Sequence, residues 1–311
     1  MIDLFIHWNI DPDAFSLGPL TVRWYGMLYG SAFIVCYYAF KELLKFNRLP
    51  DDFADSALIY MILGTIIGAR LGDCFFYHPA YYLKHPLEVL AVWNGGLSSH
   101  GGACGILISL YILSRKIKKP YIWVLDRVVI VIGVAGFFIR TGNLMNSEIY
   151  GHATTLPWGF IFERHRETVA KHPTQIYEAL YYAFTYIVLR FVYRRCDNRP
   201  RPFLIFGMFL IMVFGFRFCI EFIKNPQETF EESMMFNMGQ LLSAPFLIFG
   251  FVSLFISTKQ KKPEPEPLHQ PDIAAKPEPK QKPKPKQQQQ SNRKNDSQQQ
   301  NGIKLIKKNK K

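Results

Sequence analysis

Seven stretches of the chain, approximately 22–42, 57–76, 97–114, 121–139, 174–193, 203–222 and 238–257, are runs of mostly apolar residues of similar length. An α-helix rises about 1.5 Å per residue, so about 20 apolar residues span the hydrocarbon core of a bilayer. Soluble helices this long would carry a polar face, and the runs at 121–139 and 238–257 have almost none. The pattern predicts an all-α polytopic membrane protein with about seven transmembrane helices. The first run starts far from Met1 and follows Asp3, Asp11 and Asp13 rather than basic residues, which argues against a cleavable signal peptide.

Loop charge orients the spans, because Lys and Arg favour the cytoplasmic side. Lys41, Lys45 and Arg48 follow the first run, Arg115, Lys116, Lys118 and Lys119 the third, and Arg190, Arg194, Arg195, Arg199 and Arg201 the fifth. The connections between them are poorer, with Lys84 alone in 77–96 and Lys224 alone in 223–237. The long connection 140–173 carries Arg140, Arg164, Arg166 and Lys171, and its length gives it little weight. The alternation predicts the N-terminus outside and the C-terminus in the cytoplasm.

The net charge of +13 divides unevenly. Residues 258–311 hold 15 basic and 5 acidic residues, whereas 1–257 hold 22 and 19. A nucleic-acid binder would account for the charge but not for a chain that is 49% hydrophobic, so no nucleic-acid partner is expected. The chain therefore reads as a transmembrane catalytic domain, 1–257, and a Pro-, Gln- and Lys-rich cytoplasmic tail, 258–311. The tail has too few apolar residues to bury and is expected to be disordered. Cysteines at 36, 74, 104, 196 and 219 have no metal-site spacing and read as buried thiols. No HExxH, paired His or carboxylate cluster calls for a metal, and no cofactor is expected.

Ionisable residues within spans are costly and are usually functional. Tyr25 and Arg23 stand at the outer start of the first span, Arg70 near the outer end of the second, and His100 in the first turn of the third. Arg140 closes the fourth and opens a loop with Asn143, Asn146 and Glu148, while Arg217 and Glu221 lie near the outer end of the sixth. All fall in the outer half of the membrane. Taken singly, each has a plain structural reading: Gly64, Gly68 and Gly72 would let helices pack closely, and Arg217 and Glu221 would form an i, i+4 pair. Together, the arginines and amides suit a phosphate, held by charge-assisted hydrogen bonds. At that depth the phosphate is a phospholipid headgroup. His100 can accept a proton near neutral pH; Ser98 and Ser99 are weak candidates for a nucleophile, since no GxSxG elbow is present. The chemistry points to a phospholipid-handling enzyme of the outer leaflet, with a lipid scramblase or transporter as the competing class.

The motifs are more specific than the chemistry. The segment Arg140-Thr-Gly-Asn143-Leu-Met-Asn146-Ser-Glu148-Ile-Tyr-Gly151 resembles the RxGNFxNxExxG signature of the prolipoprotein diacylglyceryl transferase family. Further motifs follow in the family's order: Leu20-Thr-Val-Arg23-Trp24-Tyr25-Gly26, Gly68-Ala-Arg70-Leu71-Gly72, Trp93 to Ser98 with His100-Gly101-Gly102, His172 to Glu178, Arg217 with Glu221, and Met238-Gly239-Gln240. The similarity covers residues 5–257. Thr141, Leu144, Ser147 and Ser99 depart from the common pattern and touch packing rather than charge.

The resemblance implies seven helices and a bacterial cytoplasmic (inner) membrane location, with the site toward the outer leaflet. It implies transfer of the diacylglyceryl group of phosphatidylglycerol to the lipobox cysteine of a prolipoprotein signal peptide, releasing glycerol 1-phosphate. His100, Arg140 and Arg217 would be catalytic, the arginines holding the phosphate and His100 deprotonating or orienting the thiol. Arg140, Asn143, Asn146, Glu148, Gly151, Tyr25, Arg70 and Glu221 would bind the lipid. Because every motif lies before residue 258, a chain lacking 259–311 is expected to transfer lipid at the full-length rate when the two purified proteins are compared.

Overall fold

The computed structural model of the protein describes residues 5–18, 20–45, 52–226 and 234–264. The expected disordered tail lies almost wholly outside them. Among the described residues the long helices are α1 (Trp24–Lys45), α2 (Asp52–Gly72), α4 (Ser99–Lys116), α5 (Tyr121–Met145), α6 (Thr174–Arg195), α7 (Leu204–Ile220) and α8 (Met238–Lys259), with a short α3 at Pro79–Lys84. Each predicted apolar run is one of these long helices. The segments 52–77, 121–145 and 238–259 are long and apolar enough to cross a membrane, and α7 is a shorter apolar helix. The protein is a helical membrane protein.

The all-helical expectation needs one correction. Strand β1 (Ile6–Trp8) pairs in parallel with β4 (Phe160–Phe162), and β2 (Asp13–Leu17) pairs antiparallel with β3 (Leu20–Arg23). Phe160, Ile161 and Phe162 are all buried, and their aromatic and β-branched side chains suit an extended backbone. Runs this short carry no reliable period, so nothing in 5–23 or 151–173 announced them. The sheet anchors the end of α5: Trp8 Nε1 donates at 3.0 Å to the carbonyl of Leu144, which also accepts from the Ser147 N–H at 2.9 Å.

Helix α5 is the centre of the bundle. Its residues from Val124 to Val131 are all buried. Val124, Leu125, Val128 and Val131 pack with Phe40, Phe53, Leu110 and Leu113 of α1, α2 and α4. Val129 and Ile130 pack instead with Leu189 and Tyr193 of α6 and Ile205 and Phe209 of α7. Elsewhere Ile34, Ile108, Ile187 and Ile248 are exposed. In water so much apolar surface would mark a docking face; on a helical membrane protein it meets lipid chains. The same inversion corrects the reading of the cysteines as buried: Cys104 and Cys219 are exposed, and of the five only Cys74 is buried.

Two ends of the bundle differ in chemistry. At one, Arg190 and Arg194 pair with Glu42. There Asp126 accepts from the backbone N–H of Phe203 at 3.0 Å and of Phe206 at 2.8 Å, capping α7. At the other end lie the starts of α1, α4, α6 and α8 and the ends of α2, α5 and α7. The close approach of α2 to α4 depends on glycine: a Cβ on Gly68 would strike the carbonyl of Gly101, and one on Gly105 the carbonyl of Gly64. The plain packing reading of Gly64, Gly68 and Gly72 is therefore correct. Gly68→Val is expected to destabilise the protein by about 1–3 kcal/mol, seen as a lower midpoint of thermal unfolding in detergent. Gly30→Ala, inside α1 where an added methyl meets nothing within 4 Å, should leave the midpoint unchanged or raise it slightly.

Candidate active site

The signature residues begin on a helix rather than a loop. Helix α5 continues past Arg140 to Met145 and ends at Asn146, whose N–H bonds back to the carbonyl of Gly142 at 3.1 Å. Arg140 and Asn143 thus project from its last turns, and only Ser147 to Gly151 form the loop. A Cβ on Gly142 would press into the Tyr25 ring, so this glycine makes room for Tyr25 within electrostatic reach of Glu148 and Arg140.

The loop is strained. Ser147 and Ile149 have φ of 56° and 62°, left-handed values that are unfavourable for any L side chain and worst for a β-branched one. Two fully buried side chains from the start of α6 hold it there. Thr174 Oγ1 donates to the carbonyl of Ile149 and Gln175 Nε2 to that of Glu148, both at 2.7 Å. The Glu148 carboxylate in turn accepts from Asn143 Nδ2 at 2.7 Å and Asn146 Nδ2 at 3.3 Å. Both amides are thus engaged with Glu148, while Asn143 Oδ1 accepts from Arg140 at 3.3 Å.

From Arg140 an unbroken run of charges crosses three elements. Arg140 Nε lies 3.2 Å from Glu178 Oε2 on α6, an ion pair in which that oxygen lacks an aligned hydrogen bond. Lys224 Nζ, just after α7, donates to Glu178 Oε1 at 3.0 Å and to Glu221 Oε1 at 3.2 Å. Arg217 Nε stands 3.9 Å from Glu221 Oε1, so the anticipated i, i+4 pair is loose. Glu221 Oε2 accepts from Asn237 Nδ2 at 3.1 Å. Asn237 also caps α8 through a reciprocal capping box with Gln240, and a Cβ on Gly239 would collide with the Glu221 carboxyl carbon. The charges alternate in sign, and both ends are guanidiniums. The side chains of Arg140, Glu178, Lys224 and Glu221 are 13, 4, 2 and 8% exposed, whereas that of Arg217 is 37% exposed. Arg217 is the accessible end.

Gly151 serves a close approach. A Cβ there would meet the carbonyl of Ile223, and residues 151 and 224 face each other as an antiparallel bridge. Arg70 is buried and its donors reach main-chain carbonyls, Nε to Val89 at 3.0 Å and Nη1 to Gly95 at 2.6 Å, with a further bond to Glu88. It clamps the segment leading to α4 and lies over the Tyr82 ring. His100 opens onto a different feature, an apolar groove of about 970 Å³ between α2 and α4, lined also by Leu63, Phe75, Cys104 and Ile108. The groove lining includes neither Arg140 nor Arg217. Outside the helices, burial and then the charge of His152 hold His172 below the usual imidazole range. Tyr150 is pushed up to about 12 by burial and by donating to Glu167.

Sequence reasoning missed Glu178, Lys224, Asn237 and Gln175 as site members. Glu178 and Gln175 lie within the His172-to-Glu178 motif, whose spacing gives neither a role, and in the sequence Lys224 reads as a loop charge.

Fold and site define a helical membrane protein with an arginine-ended chain of buried charge built into one end of its bundle. The model of the family described as prolipoprotein diacylglyceryl transferase matches residues 12–256. Three proteins named phosphatidylglycerol–prolipoprotein diacylglyceryl transferase are similar over most of the chain. That of Tolumonas auensis is 40% identical, covering 82% of this chain and 99% of its own. That of Chloroherpeton thalassium is 41% identical, covering 84% and 97%, and that of Porphyromonas gingivalis is 43% identical, covering 79% and 92%. The chain belongs to the prolipoprotein diacylglyceryl transferase family, and it is a transferase.

Because Gln175 and Thr174 restrain a strained loop, Gln175→Ala and Thr174→Val should each lower thermal stability by about 1–3 kcal/mol. Melting curves in detergent check this. His172 predicts a pH effect. Its lowered value means that stability is complete above about pH 6.5 and declines as the pH falls further, which melting at stepped pH would register.

Proposed function

We propose that this chain moves the diacylglyceryl group of phosphatidylglycerol to the lipobox cysteine of a prolipoprotein and releases glycerol 1-phosphate. Family membership supports the reaction, and the guanidinium-ended charge chain is the single structural observation that carries it to particular residues. In this reading seven helices span the bacterial cytoplasmic membrane, with the N-terminus outside and the C-terminus in the cytoplasm. The clustering of all the named polar residues at one end of the bundle, and of the basic connections at the other, supports that orientation and an outward-facing site.

The chemistry asks for two things. The cysteine sulfur forms a bond to the glyceryl carbon while the carbon–oxygen bond to phosphate breaks, so negative charge gathers on the leaving phosphate. Arg140 and Arg217 would hold that phosphate and offset the charge, and in a dry site such donors act more strongly than in water. Glu178 and Glu221 aim them. Tyr25, Asn143, Asn146 and Glu148 would shape the headgroup pocket, with Gly151 and Arg70 acting through the backbone they hold. The thiol must also lose its proton, because a free cysteine is mostly protonated at pH 7. His100 would accept it. It stands on the α2–α4 side of the site, so proton acceptance and phosphate binding fall to different helix pairs, and the thiol must bridge them.

The test is incubation of purified protein with phosphatidylglycerol and a lipobox peptide, read by mass spectrometry. A diacylglyceryl adduct on cysteine is expected. Arg140→Ala and His100→Ala should each lower the rate at least about a hundredfold in protein that still inserts and remains monodisperse. Near-normal transfer by Arg140→Ala would sink the site assignment, and lipid movement between leaflets without any adduct would favour a transporter.

A further inference from the structure

Lys224 is the most deeply buried charge in the network, its side chain 2% exposed. A buried ammonium is tolerated only when its charge and its donors are matched, and here two carboxylates match it, Glu178 at 3.0 Å and Glu221 at 3.2 Å. Each of these carboxylates is also the neighbour of one of the two arginines. The distances are unequal in an informative way. Glu221 Oε1 lies closer to Lys224 than to Arg217, from which it stands 3.9 Å.

We infer that Lys224 is a positioning residue for the transfer reaction: it draws Glu178 and Glu221 toward the centre of the chain and so leaves both arginines able to engage a phosphate. This inference rests on the reading proposed above. Without the ammonium, Glu221 would close onto Arg217 and Glu178 would bind Arg140 more tightly, each carboxylate competing with the lipid phosphate for its guanidinium. The position of the ammonium is set by main chain as well. His152 donates to the carbonyl of Ile223 at 2.9 Å and Asn225 to that of Tyr150 at 3.3 Å, so Lys224 is stitched to the last residues of the signature loop. A shift of that loop would therefore move the ammonium and both arginine partners together. A compact cation on a flexible stem can serve two carboxylates from between them, and a neutral side chain of the same length cannot.

The experiment compares Lys224→Met, which keeps the stem, and Lys224→Arg, which keeps the charge, with the parent in the same vesicle assay. Phosphatidylglycerol and lipobox peptide are varied separately. Lys224→Met should lose about a hundredfold in kcat/KM for phosphatidylglycerol, with KM for the peptide unchanged within about twofold. Lys224→Arg, which keeps the charge on a broader head, should recover at least about tenfold of that loss. The inference is overturned if folded Lys224→Met transfers lipid like the parent, if KM for the peptide rises as much as KM for phosphatidylglycerol, or if Lys224→Arg is as impaired as Lys224→Met. Failure of the parent itself to lipidate the peptide would remove the functional reading, and this inference with it. Parental activity with an unaffected Lys224→Met removes the inference alone.

Discussion

Glu178 lies between two cations, Arg140 at 3.2 Å and Lys224 at 3.0 Å, in a place where its side chain is only 4% exposed. A carboxylate so poorly hydrated must be compensated locally, and the compensation ties two helices to the turn that follows a third. Arg140 comes from α5, Glu178 from α6, and Lys224 from the residues after α7. Through Glu221 and Asn237 the same requirement extends to the start of α8. The arrangement of this end of the bundle follows from one electrostatic condition, that none of these charges be left alone.

The signature loop is made to the same standard. Left-handed backbone at Ser147 and Ile149 costs free energy, and it persists because Thr174 and Gln175 bond to the loop carbonyls from below. Trp8, Gly142 and Gly151 complete the support by a hydrogen bond, a space for Tyr25 and a close backbone approach. In the proposed reading, where the guanidiniums hold a phosphate, such rigidity means that the donors need little rearrangement when charge develops. Arg217 is the most exposed member of the charge chain.

The large features were legible because they depend on composition over long windows. Each of the seven apolar runs is a long helix within a few residues, and α5, one of the most apolar, is the central one. The site was legible as residues but not as roles. Arg70 looked like a phosphate ligand, because an arginine deep in a span rarely has a purely structural task; its partners are carbonyls 18 to 26 residues away, which no spacing rule announces. Lys224 looked like a loop charge, because its carboxylates come from α6 and the turn after α7. His100 lines the apolar groove between α2 and α4, a placement that its position in the sequence does not announce.

The sequence by itself determined that the chain is a membrane protein built of apolar helices and which family it belongs to. Hydropathy, loop charge and motif order are local properties, and no packing is needed to read them. Only the tertiary structure decided which charge faces which. Counter-ions 46 residues apart, as Lys224 and Glu178 are, meet because helix ends converge, and helix ends converge where buried apolar surface and paired charge are satisfied at once.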